Sequence, residues 1–314
     1  MSTTPHIPWT YARLASLPLA WRRRALRALV TGRRLLARDG GERFAATFES
    51  VLRLPRREAL RLSRAAAHHD VASEIEWCAL HKRPVDAIQR DIERVQVADP
   101  AVMERIAATG RPVILAPLHM GAYVLCLATL MVRHFPGRPM LVLRQRDDMG
   151  METEVIERLR EVDVDVRFLN VSQRADFLSA VRFAQKGAVI VVFCDLDPSY
   201  GAPAEMPMFG LPFRFAFGTD TLARLTGATV VPIATTMDDN GDTVGLGQPF
   251  EVRGQAAEER AKGADIMRRH IQAAIAARPE QWHLWPMLAD YLPSSARVQD
   301  NSPAGGETPH DLAA

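Results

Sequence analysis

Two segments of the 314-residue chain place proton-handling side chains directly after short apolar runs. His119 follows Pro112-Val-Ile-Leu-Ala-Pro-Leu118. Asp195 follows Ala188-Val-Ile-Val-Val-Phe-Cys194, and Asp197 lies two residues beyond it. Such runs suit buried strands, and open α/β sheets bind ligands at the carboxyl ends of their strands. A neutral imidazole at that position can take a proton from a nucleophile near neutral pH. Gly121 would let a substrate come close to the backbone. A lone strand-end histidine is more often structural. A second, acidic strand end is what points to chemistry.

Other chemistries lack their motifs. There is no GxGxxG loop, P-loop, GxSxG elbow, HExxH or CxxC, so no metal or cofactor is expected. Cys78, Cys126 and Cys194 are too few and too scattered for a disulfide framework or a zinc cluster, and suit a reducing compartment. Cys194 reads as a buried, inert thiol. His68 and His69 adjoin in a helix and face different directions, as a solvated pair would.

The rhythm of the chain supplies the elements. Residues 1–90 read as helical, with apolar residues at three- and four-residue spacing through Phe44, Phe48, Val51 and Leu52. Pro55 opens the next helix, and Pro84 breaks the helix carrying Glu76 and Trp77. From residue 111 apolar runs alternate with helical stretches. Strands are expected at 112–118, 140–143, 166–169, 188–194 and 229–235, and helices at 122–134, 153–161, 175–186, 217–225 and 258–277. Gly187 and Gly227 act as helix stops. Asp239-Asn240-Gly241-Asp242 is a hairpin signal. This pattern predicts an α/β fold with a mostly parallel central sheet flanked by helices. The expected organisation is a helical extension (1–90) packed on an α/β domain (91–292), with a disordered tail (293–314).

A composition of 47% hydrophobic and 24% charged residues fits a globular protein, and a net charge of +2 argues against a nucleic-acid partner. Charge is unevenly placed: eight arginines and no acid precede Asp39. No stretch reaches the ~20 apolar residues of a spanning helix. Residues 19–38 form a basic amphipathic helix with Trp21, Leu26, Leu29 and Val30 towards one face and Arg23, Arg27 and Arg34 towards another. Such a helix can lie on an anionic membrane surface or pack with a solvated arginine face. The expected location is cytoplasmic, with a peripheral position on the inner membrane face.

Several blocks, in order, resemble the bacterial lipid A late acyltransferases (lauroyl/myristoyl acyltransferases) of the lysophospholipid acyltransferase superfamily. Gly110 to Gly121 is similar to the strand leading into the family's His-x-Gly, and Lys186 to Asp197 to its lysine-glycine, strand, aspartate block. Met206-Pro-Met-Phe-Gly210, Leu222 to Pro232 and Arg278-Pro-Glu-Gln-Trp-His-Leu-Trp285 continue the series. The resemblance implies transfer of a fatty acyl group from an acyl carrier protein or CoA thioester to a lipid or small-molecule acceptor, through a hydroxyl or amine. It makes His119 the general base and implies no cofactor. It suggests Arg158 or Arg160 as the family's functional arginine, able to meet a phosphopantetheine phosphate or an oxyanion. The alternative for both is a solvated helix face paired with Glu154, Glu157 and Glu161. Asp197, Phe209 and Gly210, with Gly121, are the substrate-binding candidates.

Three departures matter. The family orients its histidine with a carboxylate five residues later, and here that residue is Val124. Asp195 or another acid then orients His119, or the acceptor is easier to deprotonate, or the protein binds an acyl ligand or acyl carrier protein without turnover. Family members that acylate lipid A carry an N-terminal spanning helix, which leaves a soluble, specialised-metabolite acceptor open here. Pro286-Met-Leu-Ala-Asp replaces the family's basic pair after the tryptophan.

Overall fold

The computed structural model describes residues 8–36, 42–144, 150–170, 174–254 and 257–293. The expected tail, apart from Pro293, lies outside the described residues. Five helices come first: α1 (Trp9–Ser16), α2 (Leu19–Leu36), α3 (Ala45–Val51), α4 (Arg56–Lys82) and α5 (Val85–Arg94). Pro55 precedes α4, where its missing N–H costs nothing, and Pro84 forces Arg83 to extended geometry and ends α4. The alternating part then runs β1 (Gln96–Val97), α6 (Pro100–Ala108), β2 (Val113–Pro117), α7 (Tyr123–His134), β3 (Met140–Arg144), α8 (Met151–Arg158), β4 (Val166–Asn170), α9 (Arg174–Ala184) and β5 (Val189–Val191). It closes with β6 (Pro203–Glu205), β7 (Arg214–Ala216), α10 (Thr219–Thr226), β8 (Thr229–Asp238), β9 (Gly241–Leu246) and α11 (Ala257–Ala277).

Seven strands form one sheet in the order β1-β9-β8-β2-β5-β3-β4, parallel at every pairing except the β8–β9 hairpin. Strand side chains alternate between two cores. Ile114, Ala116 and Ile190 face one with α9, α10 and α11. Val113, Leu115, Val189 and Val191 face the other with α5, α6 and α7. The expected strand 188–194 is shorter as a ladder, and Pro117 is the reason. Val192 and Cys194 still donate to Leu115 and Pro117 carbonyls (3.1 and 2.9 Å), but Pro117 has no N–H to donate back. The expected helix 153–161 starts two residues earlier and tightens into a 3₁₀ turn at Leu159–Val162, stopped by left-handed Asp163. The helix expected from Phe217 begins at Thr219, because Arg214–Ala216 pairs with β6.

Helix α2 docks with two arginines inward beside Leu19 and Leu26, which splits the expected apolar face. Arg22 and Arg23 are buried, and Trp21 and Leu29 are exposed. Glu76 of α4 is the hub. Arg22 donates to both its oxygens and to Asp91 (2.9 Å), while Arg23 donates to Glu76 (2.9 Å) and to both oxygens of Asp242 (2.7 and 3.0 Å). Arg83 completes the set on Asp91. Burial pushes the Glu76 carboxyl up, and the two guanidiniums outweigh it, holding it at about 2. Glu76→Gln would leave two buried guanidiniums sharing too little negative charge. The expected cost is about 3–5 kcal/mol of stability. Trypsin should then cleave faster at Arg22–Arg24, and urea unfolding with timed digestion checks both effects.

Candidate active site

Strand register brings the site together. Val113 of β2 lies beside Val189 of β5, and the same offset of 76 positions sets His119 beside Asp195. The connection after β2 crosses one face of the sheet through α7, and α10, between β5 and β8, lies on the other. The crevice between these strand ends is therefore a topological switch point.

Asp195 is fully buried. Its Oδ1 pairs with His119 Nδ1 at 2.9 Å, and its Oδ2 accepts from the His119 amide at 2.8 Å and from the Trp282 indole Nε1–H at 2.9 Å. Tyr291 OH donates to the Asp195 carbonyl at 2.9 Å. A carboxylate at Nδ1 assigns that nitrogen the proton, so Nε2 carries the lone pair. Among the described residues Nε2 has no protein hydrogen bond, and the His119 side chain keeps 12% of its surface open. The Phe193 ring stacks on the imidazole (3.9 Å between centroids, 16° between planes), and Tyr123 meets it edge-on at 5.7 Å. Burial raises the Tyr123 phenol well above its ordinary range, so it stays protonated.

The loop after β2 is strapped down by the segment before the last 3₁₀ turn. His283 N–H donates to the His119 carbonyl (2.9 Å), and His283 Nε2 lies 3.1 Å from the Gly121 carbonyl. Gln281 bonds both ways with the Met237 backbone, and Thr235 donates to the Met120 carbonyl. Gly121 has φ +59, and a Cβ there would lie 2.8 Å from the Thr235 carbonyl oxygen. Its lack of a side chain thus serves packing of the histidine loop against β8.

Other sequence candidates lie elsewhere. Arg158 donates to the Leu80, His81 and Arg83 carbonyls and to Glu161, so it caps the carboxyl end of α4. Arg160 holds the Val166 carbonyl (2.8 Å) and pairs with Glu157. No contact among the described residues brings either to His119. Asp197 accepts from Ser199 N (2.8 Å) and caps a short turn. Phe209 and Gly210, at φ 53 and 77, form the two-residue turn between Met208 and Leu211. Val124 is buried in the core of α7. Buried Cys194 has its thiol pushed well up by burial and by Asp195, and donates to the Pro117 carbonyl.

Trp282 and Phe193 were not among the sequence candidates. The only signal for Trp282 was its place in the C-terminal block. Phe193 looked like one more apolar residue of a strand. His69 also differs from the expected solvated pair. Burial first, then the neighbouring His68, His283, Arg278 and Arg27, lowers it to about 3.

His119 thus has its Nδ1 held by a buried carboxylate and its Nε2 without a protein partner among the described residues, an arrangement that leaves a lone pair able to take a proton. The family model for bacterial lipid A biosynthesis acyltransferase matches residues 72–286. The chain belongs to that family and is an acyltransferase. The match contains His119, Asp195 and Trp282 and begins after α2. A search of curated proteins finds no match.

Trp282→Phe keeps the ring and removes one of three N–H donors to Asp195. The expected cost is about 1–3 kcal/mol of stability. The turnover number should fall more than KM changes, which steady-state kinetics at several acceptor concentrations checks. The His69 shift gives a pH dependence of stability. The folded pKa lies below the unfolded one near 6.5, so the unfolded chain binds more protons as pH falls below 6.5. Stability should drop by about 2 kcal/mol between pH 6.5 and 4.5. His69→Gln should flatten that slope in chemical-denaturation curves.

Proposed function

We propose that this chain transfers a fatty acyl group from an acyl carrier protein or CoA thioester to an acceptor hydroxyl or amine, with His119 as general base and Asp195 as the acid that holds it. The acceptor's proton goes to His119 Nε2 as its oxygen or nitrogen attacks the thioester carbonyl. The tetrahedral intermediate collapses with cleavage of the C–S bond, and the imidazolium returns the proton to the departing thiolate. The single observation carrying this reading is the 2.9 Å pair between His119 Nδ1 and Asp195 Oδ1. It supplies from β5 the carboxylate that position 124 lacks, and so favours a working site over a silent acyl-binding one.

The test is mass-spectrometric. Purified protein is mixed with acyl carrier protein and CoA thioesters, host lipids and small amines. Wild type should make an acylated product. His119→Ala should lower its rate about 10²–10⁴-fold, and Asp195→Asn about 10³–10⁴-fold. Product formed equally fast by His119→Ala overturns the base assignment, and tight thioester binding with no His119-dependent product makes the chain a binder. Val124→Glu should give no gain in rate and a lower unfolding midpoint, because it buries a carboxylate in an apolar core while Asp195 already occupies Nδ1.

A further inference from the structure

An imidazole that takes a proton becomes a cation, and His119 does so in a nearly closed site. Only 12% of its side-chain surface is open, so water supplies little of the stabilisation that an imidazolium needs. Among the described residues one carboxylate reaches the ring, Asp195 at Nδ1. The second oxygen of Asp195 is already shared between the His119 amide and the Trp282 indole. What covers the face of the ring is half-buried Phe193, at 3.9 Å between centroids and 16° between planes. Phe193 stands two residues before Asp195, so one strand end supplies both the face and the edge contact of one imidazole. Its ring is held in turn. Tyr123 meets Phe193 at 5.2 Å and 85°, and Trp77 meets Tyr123 at 5.8 Å and 72°.

Resting on the reading of His119 as base, we propose that Phe193 is a positioning residue that stabilises the His119 imidazolium through the negative face of its ring. An aromatic ring attracts a cation stacked within about 6 Å of its centroid, and this stack is well inside that reach. A neutral imidazole gains only ordinary stacking. The attraction therefore grows as the proton arrives, which is the condition for helping the transition state more than the ground state. A leucine would fill similar space without the quadrupole. The other groups around the ring do not cover its face in this way. Asp195 holds the Nδ1 edge, and Tyr123 of α7 meets the ring edge-on with its phenol protonated. Glu152 of α8 acts on the Tyr123 phenol. His283 binds the His119 carbonyl through its backbone and turns its own ring to the Gly121 carbonyl and Asp70.

The test changes the charge distribution of the ring while keeping its shape. Phenylalanine bearing one, two or three fluorines is placed at position 193 of the full chain, with Phe193→Leu as the variant without a ring. Nitrogen NMR follows protonation of the His119 imidazole across pH with no acyl donor present, so this readout does not depend on acyl transfer. Fluorine weakens the negative face. Each added fluorine should therefore move the His119 protonation midpoint to lower pH, and Phe193→Leu should lower it by about 0.4 to 1.5 on the pH scale. In turnover of the acyl thioester, the acid limb of kcat/KM should move the same way. Phe193→Leu should lower kcat about 2- to 30-fold with little change in KM. Midpoints that coincide across the fluorine series overturn the inference, because a ring that only fills space is indifferent to its own charge distribution. An unchanged midpoint in folded Phe193→Leu does so too. A graded midpoint with no His119-dependent product upholds the stabilisation and overturns the acyl-transfer reading alone.

Discussion

A carboxylate in a protein interior must be surrounded by donors, because the desolvation of an unpaired charge costs several kcal/mol. Asp195 is fully buried, and its oxygens take three N–H bonds from the ends of two distant segments. The loop after β2 contributes an amide and an imidazole, and the C-terminal segment contributes an indole. Tyr291, further along that segment, holds the Asp195 carbonyl. Meeting the needs of one charge therefore fixes the position of the His119 imidazole, its tautomer and the path of the chain's last described turn. Loss of any one donor would disturb more than its own bond.

The same constraint explains how a valine can stand five residues after the histidine. Nδ1 has room for one short hydrogen bond, and strand register delivers the Asp195 oxygen to it at 2.9 Å. Register is a property of the whole β2–β5 ladder, whose apolar side chains are locked into two cores. A carboxylate delivered by the sheet is thus as well positioned as one delivered by the first turn of α7. With Nδ1 satisfied, position 124 is free to serve the core, and valine does so.

What the sequence made legible follows from how far its signals reach. Parallel strands buried on both faces read as continuous apolar runs, so 112–118 and 188–194 announced themselves along with the two polar residues that end them. Asp239-Asn240 marked its hairpin, and Pro55 and Pro84 marked both ends of α4. The orientation of α2 was not legible. Periodicity groups Trp21 and Leu29 with Leu26 and Val30, but Arg22 and Arg23 meet acids 53 to 219 positions away, and only the fold brings those acids together. Arg158 shows the same limit. Its nearby glutamates were visible at helical spacing, but the α4 carbonyls it caps lie 75 to 78 positions away. Trp282 reaches Asp195 across 87 positions, which no local pattern encodes.

The buried charges under α2 are better understood as setting orientation than as a source of net stability. Burying ion pairs seldom stabilises more than well-packed apolar residues of similar size would. An apolar inner face would also tolerate several rotations of the helix. Two arginines that must find Glu76, Asp91 and Asp242 together admit one rotation. That rotation turns Trp21 and Leu29 outward.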